Sequence, residues 1–328
     1  LSIACSISSH TPHSSTATLV LIGATASGKT ELLAELFGLG APYEGRAEVI
    51  SADSMQAYRG MDIGTAKPDP ALRAVLPHHL IDILDPAEQF TAGDFVRSAS
   101  AAVEGIRERG RLPIIAGGSG FYIKNLILGM PSSPPADPAI REAVASDLER
   151  RGPEALRAEL EALDPVSAAR IHPNDRYRLT RALEILRSTG RPLASFLPPP
   201  REGSDEGGAG EWLVVEYRRP RAELKERIAR RVDAMFAAGL VEEVARLRAA
   251  GHGAGEPGMK AIGYGEFFAL ETEGFSGPAL VEAARERIKL DTLRYAKRQA
   301  TFFRGLPAVH VLDAGPRAAA DLADLLPL

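Results

Sequence analysis

Residues 23–30 read Gly-Ala-Thr-Ala-Ser-Gly-Lys-Thr, the spacing of a phosphate-binding loop, G-x-x-x-x-G-K-[ST]. Consecutive backbone N–H groups of such a loop form a concave anion site where a helix begins. Lys29 adds a point charge. Thr30 can set its hydroxyl on a Mg2+ that shares the phosphates. Gly23, Ala24, Thr25, Ala26, Ser27, Gly28, Lys29 and Thr30 are therefore the candidate phosphate or diphosphate ligands. The loop alone leaves the reaction open. A kinase moves a phosphoryl group held this way; another enzyme grips a diphosphate that is about to leave.

Two more residues carry chemistry-bearing groups. Asp53 closes "EVISAD". A carboxylate there can hold a metal, accept a proton from a substrate donor, or cap a helix. Ser119 lies in "AGGSGFY", a glycine turn where a hydroxyl can meet a ligand or simply serve the turn.

The surrounding elements must position these groups. "TLVLIG" (18–23) is an apolar run that reads as a buried strand feeding the loop, and "KTELLAELF" reads as the following helix. Strand, glycine loop and helix in that order is the context a phosphate loop requires. "EVISAD" (48–53), "HLIDIL" (79–84), "LPIIAGGSG" (112–120), "WLVVEY" (212–217) and "AVHVL" (308–312) supply further strands. Thr91 and Asp94 suit the cap of a helix running through Arg109. Strands alternating with helices imply an α/β fold with a mainly parallel sheet, whose ligands bind outside the carboxyl ends of the strands. Gly23–Thr30, Asp53 and Gly117–Ser119 all fall there. Residues 136–200 break the alternation with helical periodicity and read as a helical insertion domain. The catalytic α/β domain is then 18–135 with 212–328. "LPPPREGSDEGGAGE" (197–211) has the composition of a flexible connector, assigned to 201–211, and residues 1–17 read as a loose tail. Helices are expected over 221–238, 240–250 and 278–304.

Composition narrows the classes. The 328 residues allow about two domains. No apolar run reaches the ~18 residues of a membrane span, and the polar start lacks the pattern of a secretory signal. The single cysteine, Cys5, excludes an intramolecular disulfide and suits a reducing, cytoplasmic setting. A net charge of -4 argues against generic nucleic-acid binding. Its distribution argues otherwise: 170–187, 218–231 and 282–304 carry +3, +5 and +4, leaving -16 elsewhere. Segregated charge of this kind makes a local positive field on an acidic protein, or it forms three solvated helix faces.

"GATASGKT", "ISADSMQAYRGMDIGTAKP", "AGGSGFYIKNLILG", "ARIHPNDRYRLTRALEI", "MKAIGYGEF" and "YAKRQATFFRG" follow one another as in the tRNA dimethylallyltransferase family. The chain resembles that family over roughly residues 18–305, and "DSMQAYRGMDIGTAKP" is foreign to ordinary nucleotide kinases. The resemblance implies a P-loop nucleoside-triphosphate-hydrolase-like sheet with an inserted helical domain, acting with Mg2+. It implies transfer of a dimethylallyl group from dimethylallyl diphosphate to the exocyclic amine of the adenosine 3′ of a tRNA anticodon. The loop would then hold a leaving diphosphate, with Arg227 in contact with it and Arg231 one turn on.

By the same resemblance Asp53 is the general base and Ser119 a hydroxyl near the reacting amine. The anticodon stem-loop would meet Asp53, Ser54, Met55, Gln56, Ser119, Arg141, Tyr177, Arg178, Leu179, Thr180, Arg181, Lys260, Ala261, Ile262, Gly263, Tyr264 and Gly265. A base buried in an RNA loop must leave its stack to react, which calls for a channel open at both ends. Three positions depart from the family. Ser119 replaces Thr but keeps the hydroxyl, Gly265 stands where many relatives are basic, and Phe303 and Arg304 lie where tryptophan is common. A monomer is the expected form. The rival readings are a small-molecule phosphotransferase and a non-catalytic RNA-binding module.

Overall fold

The computed structural model describes residues 17–130, 137–196, 212–306 and 309–328. The expected tail and connector lie almost wholly outside the described residues. Six strands form one sheet in the order β3-β2-β4-β1-β5-β6, with every pair parallel. They are β1 (Thr18–Ile22), β2 (Ala47–Ala52), β3 (His78–His79), β4 (Leu112–Gly117), β5 (Trp212–Arg218) and β6 (His310–Asp313). β1 and β2 are buried along their whole length. Such two-sided burial explains why β1 reads as a continuous apolar run, and in β2 it takes in even Glu48 and Ser51.

The helices are α1 (Lys29–Phe37), α2 (Pro70–Val75), α3 (Ala92–Glu108), α4 (Gly120–Leu128), α5 (Pro138–Leu163), α6 (Pro165–Arg170), α7 (Arg176–Thr189), α8 (Arg221–Ala237), α9 (Leu240–Ala249), α10 (Gly265–Thr272), α11 (Gly277–Phe303) and α12 (Ala318–Ala323). Helix α1 is short but buries Leu32, Leu33, Leu36 and Phe37 against the sheet. Each such side chain stabilises by about 1.5–3 kcal/mol, and this anchors the phosphate loop from behind. Helix α3 starts in a full capping box, as its sequence requires: Thr91 Oγ1 accepts from Asp94 N, and the Asp94 carboxylate accepts from Thr91 N. A second core joins α8, α9, α10 and α11 through Ile228, Val232, Leu240, Val244, Phe267 and Ile288.

The described residues within Leu1–Ile127 and Gly203–Leu328 form one compact unit, and those within Leu128–Glu202 a second. The second unit has its own core: Val144, Leu156 and Leu160 of α5 with Leu179, Ala182, Leu183 and Leu186 of α7. Helix α5 breaks at Gly152, whose φ is 79°, before Pro153.

The expected third strand over 79–84 is corrected. Only His78–His79 pairs with β2, because Leu80 and Asp82 take φ of 63° and 58° and turn the chain out of the extended region. Helices α2, α4, α10 and α12 were not expected. They are short, and α10 has apolar residues on nearly every side, so helical periodicity is weak there.

Candidate active site at the carboxyl ends of the strands

Strand register assembles the site. Gly117 pairs with both Ile22 and Ala52, so the residues that follow, Gly23, Asp53 and Gly118, leave the sheet side by side. The loop from β1 bends through Ala26 (φ 60°) and Gly28 (φ 105°). Gly28 is the N-cap of α1 and no side chain caps that end. The first amides of the helix therefore stay open to an anion. The loop's carbonyls are tied back: Arg227 Nε donates to Ala26 O (2.8 Å) and Arg219 Nε to Ser27 O (2.9 Å).

Positive charge collects around this cradle. Lys29 Nζ donates to Gly23 O (2.8 Å) and Ala24 O (3.1 Å). Burial and the neighbouring Arg231 hold its ammonium down at about 8, against the opposing pull of Asp53 and Glu31. Burial likewise lowers the Arg231 guanidinium from its ordinary value. Arg227 pairs with Glu31 at 2.6 Å. A cavity of about 390 Å³ opens here, lined among others by Lys29, Thr30, Asp53, Arg227, Arg230 and Arg231. Thr30 and Asp53 bring hard oxygen donors to its lining. Among the described residues no cluster of three His, Cys, Asp or Glu exists for a dedicated metal cage. Mg2+ needs none, since it commonly keeps one or two protein oxygens alongside phosphate and water. The donor set fits a Mg2+ that arrives with a diphosphate.

A second cavity, of about 530 Å³, lies beyond Gly118 and is lined by Ser54, Ser119, Phe121, Lys260, Tyr295 and Arg298 among others. Ser119 Oγ accepts from Ser54 N at 3.1 Å, and Ser119 N donates to Ala52 O at 3.0 Å. Asp53 Oδ1 accepts from Met55 N at 2.9 Å, which fixes the carboxylate's direction. Gln56 Oε1 accepts from Ser51 Oγ at 2.8 Å. Burial pushes the Tyr295 phenol up to about 12, and the charge of Asp53 adds to the shift. Gly118 and Gln299 line both cavities, so the two share a wall.

The remaining expected RNA contacts fall in two places. In the helical unit Tyr177 is 79% exposed. Arg178 pairs with Asp175, Thr180 Oγ1 donates to Tyr177 O, and Arg141 and Arg181 both approach Glu184. Leu179 instead packs in that unit's core, so its side chain is not offered to a ligand. In the α/β unit Lys260 is exposed on the second cavity, with Ile262 half-buried nearby. Ala261 and Tyr264 are turned inward. The Tyr264 hydroxyl donates to Glu243 (2.5 Å) and accepts from Gly64 N (3.1 Å). It fixes the backbone around it. Gly263 holds φ 104°, whereas Gly265 opens α10 without a positive φ, and a Cβ there would make only ordinary contacts. Phe303 is buried and Arg304 exposed, in keeping with a packing role for the ring.

Sequence reasoning missed Arg219, Glu243, Tyr295 and Gln299. Glu243 is buried and accepts from the amides of Asp62, Ile63 and Gly64. Only the i, i+4 spacing of Tyr295 and Gln299, inside a segment already singled out, could have drawn attention to two of them.

Together the parallel sheet, the strand–loop–helix cradle and the catalytic-type groups at the strand ends define a P-loop α/β protein with an inserted helical unit. A profile of the IPP transferase family matches residues 56–306. The chain is 45% identical over 299 residues to a tRNA dimethylallyltransferase of Geobacter sulfurreducens, covering 90% of this chain and 91% of that one. It is 46% identical over 288 residues to tRNA dimethylallyltransferase 1 of Citrifermentans bemidjiense, covering 87% and 88%. Among solved structures, a eukaryotic dimethylallyltransferase acting on tRNA superposes with a TM-score of 0.75 at 26% identity, covering 95% of this chain and 78% of that one. The full-length tRNA isopentenylpyrophosphate transferase of Bacillus halodurans gives 0.65 at 34% identity, covering 94% and 95%. The chain belongs to the IPP transferase family.

Proposed function

We propose that this protein transfers the dimethylallyl group of dimethylallyl diphosphate to the exocyclic amine of the adenosine 3′-adjacent to the anticodon in tRNA, releasing diphosphate. The observation that carries the reading is the pair of cavities meeting at Gly118, with the cations and Asp53 lining one and Ser119 the other. The donor enters the first cavity and the flipped adenine the second. The carbon–oxygen bond of the donor breaks, and its electron pair leaves with the diphosphate. The open amides of α1, Lys29, Arg227 and Arg231 stabilise the charge that grows there. Mg2+, held by Thr30 and the diphosphate, would add Lewis-acid stabilisation of the leaving group.

The amine is a weak nucleophile because its lone pair is delocalised into the ring. Asp53, steered by Met55 N–H, orients it and takes its proton as the new carbon–nitrogen bond forms. Ser119 holds the amine through its hydroxyl. We assign residues 136–200 to an RNA-binding helical domain, with Arg141, Tyr177, Arg178 and Arg181 as contacts. Lys260 and Gly265 serve the same RNA from the α/β domain. Cations of this kind position RNA by its phosphates, and exposed rings stack on unpaired bases. A monomer working in the cytoplasm suits this substrate and a chain with one cysteine.

Mass spectrometry of nuclease-digested tRNA tests the reading. Incubation with dimethylallyl diphosphate should yield a prenylated adenosine next to the anticodon. Phosphorylated product from ATP with no prenylated nucleoside would replace it by phosphotransfer. Tight tRNA binding without either product would leave only an RNA-binding module.

A further inference from the structure

One side chain on α11 belongs to both cavities. Gln299 is only 5% exposed, and both ends of its amide are engaged. Oε1 accepts from Thr25 N in the phosphate loop at 2.8 Å. Nε2 donates to Gly118 O, in the turn that carries Ser119, at 3.0 Å. Reversing the amide would set donor against donor and oxygen against oxygen, so the network admits a single orientation. The seat is close: a Cβ on Gly118 would come 2.1 Å from Nε2. This explains the glycine without any appeal to positive φ.

The loop and the turn leave adjacent strands, β1 and β4, and past the paired Ile22 and Gly117 the sheet no longer holds them together. Gln299 bridges them at that point. Its bond to Thr25 also withdraws that amide from the anion cradle, leaving the cradle to the residues nearer α1. One turn earlier on the same face, Tyr295 lines the acceptor side of the wall.

We propose that Gln299 is a positioning residue that fixes the distance between the leaving diphosphate and the acceptor amine by clamping the phosphate loop to the Ser119 turn. The inference rests on the prenyl-transfer reading of the site. Each cavity has its own charged and polar walls, so each substrate can bind without the clamp. What slackens is the ternary geometry. A displacement of about 1 Å in a reacting pair costs on the order of 100-fold in rate.

The test is steady-state kinetics of the full chain with unmodified tRNA and dimethylallyl diphosphate, for wild type, Gln299→Glu and Gln299→Met, between about pH 5.5 and pH 8.5. Gln299→Glu keeps the size and the oxygen that accepts from Thr25. When ionised it sets a second oxygen against Gly118 O; when protonated its hydroxyl can donate there. Burial raises a carboxyl's pKa, so the protonated form is reached within this range. At about pH 8 its kcat should fall on the order of 100-fold with KM for tRNA held within about threefold; the Kd of inorganic diphosphate should hold likewise in the uncharged Gln299→Met, where no second anion faces the cradle. Relative to wild type the deficit should narrow by about tenfold per pH unit as protonation takes over. Gln299→Met should show the kcat loss without this pH recovery, and it keeps the inference testable if the charged variant folds poorly. Wild-type kcat in both variants, or a deficit in Gln299→Glu that stays constant with pH, would overturn the clamp. A wild-type protein that makes no prenylated adenosine would instead remove the reaction, and the clamp's role with it.

Discussion

Strand β2 carries a carboxylate near its amino end, Glu48, and is followed by one at its carboxyl end, Asp53. The two ends of the sheet treat charge in opposite ways. Glu48 is 3% exposed and saturated: Arg109 donates through Nε (2.8 Å) and Nη2 (2.7 Å), Arg111 through Nη1 (2.9 Å), and His79 Nε2 lies at 2.6 Å. Its carboxyl is held at about 2, by the Arg109 hydrogen bonds above all and by His79, against the opposing effect of burial. At the carboxyl end the cations outnumber their partners. Lys29 and Arg231 are both pushed down by burial against the opposing charges of Asp53 and Glu31, and Glu31 is itself tied to Arg227. A charge cluster that satisfies itself holds a fold together. One that is left wanting an anion is built to receive one.

The sharpest break of this comparison is Asp53→Asn. Turnover should fall about 100- to 10,000-fold, because Asn can orient the amine but cannot take its proton. The melting temperature and the affinity for inorganic diphosphate should hold. Single-turnover rates near wild type would remove Asp53 from the chemistry.

Lys29 gives the next largest effect. Its ammonium is lost as pH rises through about 8, so donor affinity should weaken above that value and stay level below it. Lys29→Ala should weaken the donor at every pH and lower turnover, flattening that step in a binding titration. If the step survived the substitution, another group would be responsible.

The opposite end should answer through stability. Glu48→Gln leaves Arg109 and Arg111 short of a charge partner, but both are partly exposed and water can solvate them. The cost should therefore be about 2 kcal/mol rather than the larger penalty of a sealed pair. That corresponds to a melting temperature lower by about 4–8 °C. A folded pKa near 2 lies below the unfolded carboxyl value. The stabilisation is therefore complete above the unfolded value and fades as pH falls through the folded one. Thermal melts of both proteins should converge in acid, while activity per folded molecule at neutral pH stays unchanged.

The smallest effect expected is at Gly265. Its backbone is helical and a Cβ there would make only ordinary contacts, so Gly265→Arg should fold normally. It should tighten tRNA binding and steepen the salt dependence by a slope of about 0.7 if one phosphate contact forms. Affinities across a salt series would show this, and an unchanged slope would place Gly265 away from the RNA.

The carboxyl end was the more legible of the two in sequence. A phosphate loop needs its glycines, lysine and threonine contiguous, so Gly23–Thr30 could be read directly, and the strand that feeds it is an apolar run. Asp53 and Ser119 could be located because each follows a segment legible as a strand. Gln299 could not be read the same way: its partners are backbone atoms 274 and 181 residues away. Glu48 was hidden likewise, since a buried carboxylate inside a strand looks like any exposed one until its arginines are placed. The third strand failed for a local reason, the left-handed turns at Leu80 and Asp82, which no apolar pattern signals. The inward turn of Leu179 and Tyr264 was equally invisible, because motif membership says nothing of which way a side chain points.

The central claim is that the underpaired cations hold a diphosphate as it leaves carbon. The direct measurement uses dimethylallyl diphosphate carrying a heavy-oxygen label at the bridge between carbon and phosphorus. It is incubated with unmodified tRNA and this protein, and both products are analysed by mass spectrometry. The account predicts a prenylated adenosine beside the anticodon, and intact diphosphate that retains the label. Orthophosphate as the released product, label retained on the dimethylallyl fragment, or unmodified tRNA after prolonged incubation would contradict it.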